Sequence, residues 1–299
     1  QEESFDPETI DKELEMAADL GFNTVRIFLH DKMWEIDRDG CLGRVDRFLE
    51  ICKSHGIQVI MTFFTNGGYL RDAKPGPQPE PVQGAHNSRW IQSPGEAAVN
   101  DPAQWPRLKS YVQDVLRRYR DDARVLMWCL YNEPENFKYG ARSLPLMREL
   151  FAWAREVDPS QPLSSPIWLC PGRHGARSNF PVISFLGENC DVMTFHCYYG
   201  PEEMEEFISY LKQFGRPIIC QEYMGRPRST FEEIMPILKR EKVGAVSWGL
   251  VAGKCQFYLQ WSSKAGDPEP EQWFHDIIRP DGTPYSAEEV EFIKSMTRE

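Results

Sequence analysis

The chain has 299 residues, 41% of them hydrophobic, enough to bury one large core in a single domain over residues 1–299. Its net charge of -11 repels phosphate backbones, and no basic stretch is dense enough to outweigh it, which argues against nucleic acid as a partner. No apolar run approaches the ~20 residues that span a bilayer, so no membrane partner is expected; the start Gln1-Glu2-Glu3-Ser4 lacks a signal-peptide pattern, as a mature secreted chain also would.

In chain order, Asp6 followed by Pro7 predicts a helix start, Ile10, Leu14, Ala17 and Leu20 form one apolar stripe, and Gly21 stops it. A strand is expected at 24–29. A helix near 45–54 leads to a strand at 58–64, and one near 106–119 leads to a strand at 125–130. The stripe Met147, Leu150, Ala154 and Val157 predicts the next helix, followed by strands at 163–167 and 191–195. Met204, Phe207, Ile208 and Leu211 mark a helix before a strand at 217–220. Thr230 with Glu233 predicts a capping box for the helix before a strand at 244–248, and a last helix is expected at 287–296. Two irregular segments interrupt this rhythm: 65–95, with Asn66-Gly67-Gly68 and Pro75, Pro77, Pro79 and Pro81, and 250–272, with Trp261. Both follow strands, so both belong on the face where α/β barrels carry their sites.

The alternation predicts an α/β fold, a (β/α)8 TIM barrel built of parallel βα units. Seven strand candidates appear instead of eight, and the shortage lies at the N-terminus, where the helix from Asp6 to Leu20 leaves only Gln1 to Phe5. Because an open barrel exposes two unpaired edges, the expectation is that the chain is truncated, or that Gln1 to Phe5, a partner or a rearrangement fills the gap.

The chemistry sits in two short segments. Tyr131-Asn132-Glu133-Pro134 and Gln221-Glu222-Tyr223 each place a glutamate where an apolar strand ends. Two converging carboxylates are the minimum equipment for cleaving a glycosidic bond. No C-x-x-C pair, H-E-x-x-H, phosphate loop or G-x-S-x-G elbow occurs, so neither a metal nor a cofactor is expected. Of the eight cysteines, Cys129 and Cys220 fall in core strands, Cys52 in a helical pattern, and the other five have no regular spacing, so they read as buried free thiols. Arg26 lies in a strand otherwise made of Val25, Ile27, Phe28 and Leu29, where an unpaired guanidinium is costly; it is the natural donor to hold Glu222 ionised. The charge of Glu222 should in turn help to keep Glu133 protonated. His30 shares the face of Arg26 by strand alternation and is a candidate for the pocket wall. Trp90, Trp168 and Trp261 read as loop anchors rather than sugar platforms.

The order Gly21-Phe22-Asn23-Thr24-Val25-Arg26, Asn132-Glu133-Pro134, His196-Cys197-Tyr198, Glu222 and Trp248 resembles the retaining glycoside hydrolases of clan A, closest to the family 5 cellulase and mannanase type. The resemblance runs from about Phe5 to Trp248. It implies Glu133 as acid/base and Glu222 as nucleophile, with carboxyl groups roughly 5 to 5.5 Å apart. It also implies that Arg26 supports the nucleophile, Asn132 contacts the sugar 2-hydroxyl, His196 and Tyr198 orient the carboxylates, and Trp248 stacks under the sugar. One departure is that Thr62-Phe63-Phe64-Thr65 stands where many relatives end the third strand with histidine, so that sugar contact is lost or supplied by Asn66 or the long loop.

The reading is therefore a retaining β-glycosidase acting without a metal on a β-linked glucan, mannan, xylan or oligosaccharide. A carbohydrate-binding barrel without turnover is the alternative, and a barrel lyase or aldolase the weaker third. By resemblance the enzyme would be secreted or periplasmic, with the unpaired thiols arguing mildly the other way. The sequence does not indicate an oligomeric state.

Overall fold

The computed structural model describes residues 4–171 and 180–298. Its elements run α1 (Pro7–Asp19), β1 (Thr24–Phe28), α2 (Asp31–Ile36), α3 (Arg38–Ser54), β2 (Gln58–Thr65), α4 (Glu96–Val99), α5 (Trp105–Arg118), β3 (Val125–Asn132), α6 (Leu144–Val157) and β4 (Leu163–Ser164). They continue with α7 (Phe180–Asn189), β5 (Met193–His196), α8 (Pro201–Lys212), β6 (Ile218–Glu222), α9 (Phe231–Glu241), β7 (Gly244–Ala245) and α10 (Ala287–Thr297). Every strand pairing is parallel, in the orders β1-β2-β3-β4 and β5-β6-β7. A parallel bridge between Ile167 and Phe195 joins the two sets into one curved array. This is the expected (β/α)8 architecture.

Local chemistry explains the boundaries. The Asp6 carboxylate accepts the Glu8 N–H at 3.1 Å and opens α1, whose Leu14 and Ala17 are buried. Gly21 ends it at φ +80°, where an added Cβ would lie 2.3 Å from Thr297 Oγ1. The strand expected at 163–167 keeps its ladder with β3 only over β4, because Pro166 has no N–H to continue it. The strand expected at 244–248 narrows to β7. Helices α2, α4 and α7 were not anticipated. No disulfide joins the cysteines among the described residues, and seven of the eight are buried. No described helix is long and apolar enough to cross a membrane.

Strand burial reports where the ring is open. β2 and β3 are buried along almost their whole length, whereas all five residues of β1 are half-buried and both residues of β7 are exposed. Among the described residues no strand lies between β1 and β7. Ser4 and Phe5 belong to no strand, and Gln1 to Glu3 lie outside the described residues.

Two other devices span this seam. On the outside α10 packs against α9, and its Thr297 hydroxyl donates to the Leu20 carbonyl at 2.7 Å. At the C-terminal ends of the strands the two long segments are stitched together. Gln256 accepts the Gly84 N–H at 3.1 Å and donates to the Val82 carbonyl at 3.0 Å, while Asn87 N–H reaches the Cys255 carbonyl at 2.7 Å.

The tail is fixed by a buried ion pair. Arg226, just past β6, donates through Nε to Glu289 Oε2 at 2.9 Å and through Nη1 to the Trp273 carbonyl at 3.1 Å. Both charged side chains are buried. Arg226→Met should lower stability by about 3–5 kcal/mol, because Glu289 is left uncompensated. Adding Glu289→Leu should recover most of that loss in a denaturant titration; a double variant as unstable as the single one would contradict the pairing.

Candidate active site

The sequence-predicted residues lie at or near the carboxyl ends of the strands. Arg26 lies on β1, Asn132 and Glu133 at the end of β3, His196 on β5 with Tyr198 just past it, Glu222 at the end of β6, and Trp248 beyond β7.

The Arg26 side chain is 3% exposed, so its charge needs partners. Its Nε donates to Thr62 Oγ1 at 3.1 Å, Nη1 to Glu222 Oε1 at 2.6 Å, and Nη2 to Asn132 Oδ1. The other Glu222 oxygen accepts the Tyr198 hydroxyl at 2.7 Å. Asn132 Nδ2 donates to Thr65 Oγ1 at 3.2 Å, which fixes the amide and leaves its second N–H for a ligand.

Glu133 has different surroundings. It sits at φ +47°, is buried, and places Oε1 2.6 Å from His196 Nδ1 and Oε2 2.7 Å from Asn136 Nδ2. Burial pushes the Glu133 carboxyl up to about 7, against the Asn136 amide and the Arg26 charge. That rise comes from desolvation, not from the charge of Glu222 as the sequence reading expected. Burial also lowers His196 to about 3, so its imidazole is neutral at ordinary pH. His196 Nδ1 stands 3.4 Å from Glu222 Oε2, between the two carboxyls.

One oxygen of Glu133, one of Glu222 and the His196 nitrogen lie within 4.8 Å of one another. Such a trio could ligate a cation. Arg26 on Glu222 and Asn136 on Glu133 already occupy the remaining oxygens as donors, so the donor set is better matched to proton transfer.

Other residues were missed. Asn66 does not face a sugar: its Nδ2 donates to the Pro134 carbonyl at 2.6 Å and its Oδ1 accepts the Tyr131 hydroxyl at 2.6 Å, clamping the turn that carries Glu133. Asn136 returns to Glu133 through a turn closed by its N–H on the Glu133 carbonyl at 3.0 Å. Proline second in Glu133-Pro134-Glu135-Asn136 was the available signal for that turn. Glu135 is buried, accepts the Trp168 N–H at 2.8 Å through Oε1, and has no partner for Oε2 among the described residues. His30 instead caps α2, its Nδ1 accepting the Lys32 N–H at 3.2 Å.

An aromatic wall lines the rim. The Trp248 ring stands 5.9 Å from Phe28, 5.8 Å from Trp90 and 5.0 Å from Phe257. Trp90 is anchored against Phe28 at 4.7 Å. Trp261, read as an anchor, stays 58% exposed although it packs on Tyr198 at 5.0 Å.

The sequence profile described as "Cellulase (glycosyl hydrolase family 5)" matches residues 4–253. The chain belongs to glycosyl hydrolase family 5. Solved structures similar to it include an endo-beta-1,4-mannanase from Thermotoga petrophila, with a TM-score of 0.67 and 16% identity over 98% of this chain and 73% of that one. The endo-1,4-beta-mannanase from Rhizomucor miehei gives a TM-score of 0.66 and 14% identity over 98% of this chain and 92% of that one. At such identities the likeness concerns the fold. A beta-glucuronidase from Paenibacillus borealis is 27% identical over 139 residues, which is 44% of this chain and 22% of that protein. The Homo sapiens beta-glucuronidase is 23% identical over 136 residues, 44% of this chain and 20% of that protein. The match thus spans about a fifth of the length of these curated relatives.

Burial raises Glu135 to about 7 from an ordinary value of 4.5. The folded state then holds a proton that the unfolded state loses, so this group's contribution to stability is complete below about 4.5 and is lost as pH rises through about 7. Glu135→Gln, which cannot ionise, should gain in urea midpoint relative to wild type across that window. A constant difference between the two proteins would contradict the assignment.

Proposed function

We propose that this chain is a retaining β-glycosidase that hydrolyses a β-linked glucan, mannan, xylan or derived oligosaccharide, with Glu133 as acid/base and Glu222 as nucleophile. The observation that carries the reading is the unequal pair of buried carboxyls: oxygens within 4.8 Å, one side chain held by a guanidinium and a phenol, the other raised to about 7. Oxygens this close are compatible with a retaining pair, whose carboxyl groups stand roughly 5–5.5 Å apart.

In the first step a Glu222 oxygen attacks the anomeric carbon while the Glu133 proton passes to the glycosidic oxygen. The bond to the leaving group breaks and a glycosyl ester forms on Glu222. Glu133, now a carboxylate, takes a proton from water, whose oxygen attacks the same carbon from the face just vacated. The ester opens, Glu222 is released as carboxylate, and two inversions give retention.

Neutral His196 shares its Nδ1 contact with Glu133 without adding a charge beside it. Asn132, with one N–H free, is suited to the sugar 2-hydroxyl, and Trp248 to stacking under the ring. The mannanase and beta-glucuronidase similarities support a pyranoside substrate and leave its identity to experiment.

A binding barrel without turnover is favoured only by the open seam between β1 and β7. Hydrolysis of aryl β-glucoside, mannoside, xyloside, galactoside and glucuronide separates the two. Turnover should fall by about 10^3-fold or more in Glu222→Ala, with azide yielding a glycosyl azide of inverted configuration. In Glu133→Ala the loss should be larger on poor leaving groups, and the wild-type alkaline limb should lie near 7, where the acid loses its proton. A folded wild type that binds these glycosides and cleaves none would overturn the proposal.

A further inference from the structure

The acid/base turn carries an exposed ring that the mechanism above does not use. Phe137 is 44% exposed, a costly place for a large apolar side chain, and its backbone sits at φ +53°. Lys138 follows at φ +66° and Glu133 precedes at φ +47°, so three non-glycine residues within six positions adopt the left-handed region. Backbone strain of this kind persists where surrounding structure holds it.

The surroundings are built to present the ring. A Cβ on Gly67 would lie 2.2 Å from Phe137 Cε2, so the ring occupies space that any side chain at position 67 would need. The Arg71 guanidinium stands 5.5 Å from the ring centroid. One amide then ties the ring's backbone to Glu133. Asn136 Oδ1 accepts the Phe137 N–H at 2.6 Å, and Asn136 Nδ2 donates to Glu133 Oε2 at 2.7 Å.

We propose that Phe137, Gly67 and Arg71 form a leaving-group subsite for a second pyranose ring, coupled to Glu133 through Asn136; the proposal rests on the reading of Glu133 as acid/base. The departing oxygen must come within hydrogen-bond reach of the Glu133 carboxyl, so the ring that bears it lies over the turn that carries Glu133. The exposed part of the Phe137 ring offers an apolar surface for the C–H groups of a sugar, and the Arg71 guanidinium over the ring, whose Nη1 also donates to Gln92 Oε1 at 3.4 Å, offers N–H groups for the hydroxyls. A purely apolar aglycone would use the ring and leave the guanidinium idle.

The test compares two substrates of whichever glycone the aryl panel identifies: a β-linked disaccharide, and the β-glycosyl fluoride, whose leaving group is too small to touch Phe137. Phe137→Ala should lower kcat/KM on the disaccharide at least tenfold more than on the fluoride, and Arg71→Met should shift the same ratio in the same direction. Transfer of the glycosyl group to an added sugar acceptor should fall in parallel. If Phe137→Ala does not fold, Phe137→Leu keeps the bulk without the flat face, and the same ratio is read. Equal losses on both substrates would overturn the subsite. A wild type inert on both would instead overturn the glycosidase reading and the subsite with it.

Discussion

The buried guanidinium of Arg26 is the constraint on which the site depends. Removing such a charge from water costs several kcal/mol unless it is well paired, and only the folded arrangement of four strands supplies the partners. Thr62 comes from β2, Asn132 from β3 and Glu222 from β6, while Arg26 itself comes from β1. The register that pairs Arg26 with Ile60 puts Thr62 two residues further along the same face. A one-residue slip would turn these groups away from one another, so the same contacts that neutralise the charge also fix where the carboxyls meet.

The second consequence is chemical asymmetry between two identical side chains. Glu222 receives an N–H from a guanidinium and an O–H from a phenol. Glu133 receives burial and a neutral imidazole, and its carboxyl rises to about 7. One fold thereby gives two glutamates side by side different surroundings, as the proposed division into acid/base and nucleophile requires. The scaffold that does this is not closed by strands among its described residues. Helix α10 outside, and the stitched segments around Gln256 at the strand ends, span the seam between β1 and β7.

Much of this was legible in the sequence because it rests on strong local signals. Alternating periodicity located the strands, and glutamates at strand ends with a lone arginine among Val25, Ile27 and Phe28 located the network. What escaped depends on turn geometry. Asn66 was one candidate to replace the histidine that many relatives place at that strand end, but its amide is consumed by the Pro134 carbonyl and the Tyr131 hydroxyl. Asn136 and Phe137 gain their roles only once the turn at Pro134 folds back on Glu133. The strand that carries Arg26 ends at Phe28, so His30 lies beyond it and caps α2, a role that strand alternation did not indicate. Pro166 shortened β4 for a reason visible in the sequence and not applied there.

The central claim is that Glu222 forms a covalent bond to the sugar. Incubating the wild-type chain with a dinitrophenyl 2-deoxy-2-fluoro-β-glycoside of the preferred glycone, then digesting it and sequencing the labelled peptide by mass spectrometry, tests this directly. The account predicts one sugar per chain, carried as an ester on Glu222, with activity lost in proportion to labelling. A label on another carboxylate, or continued turnover of natural substrate by fully labelled protein, would contradict it.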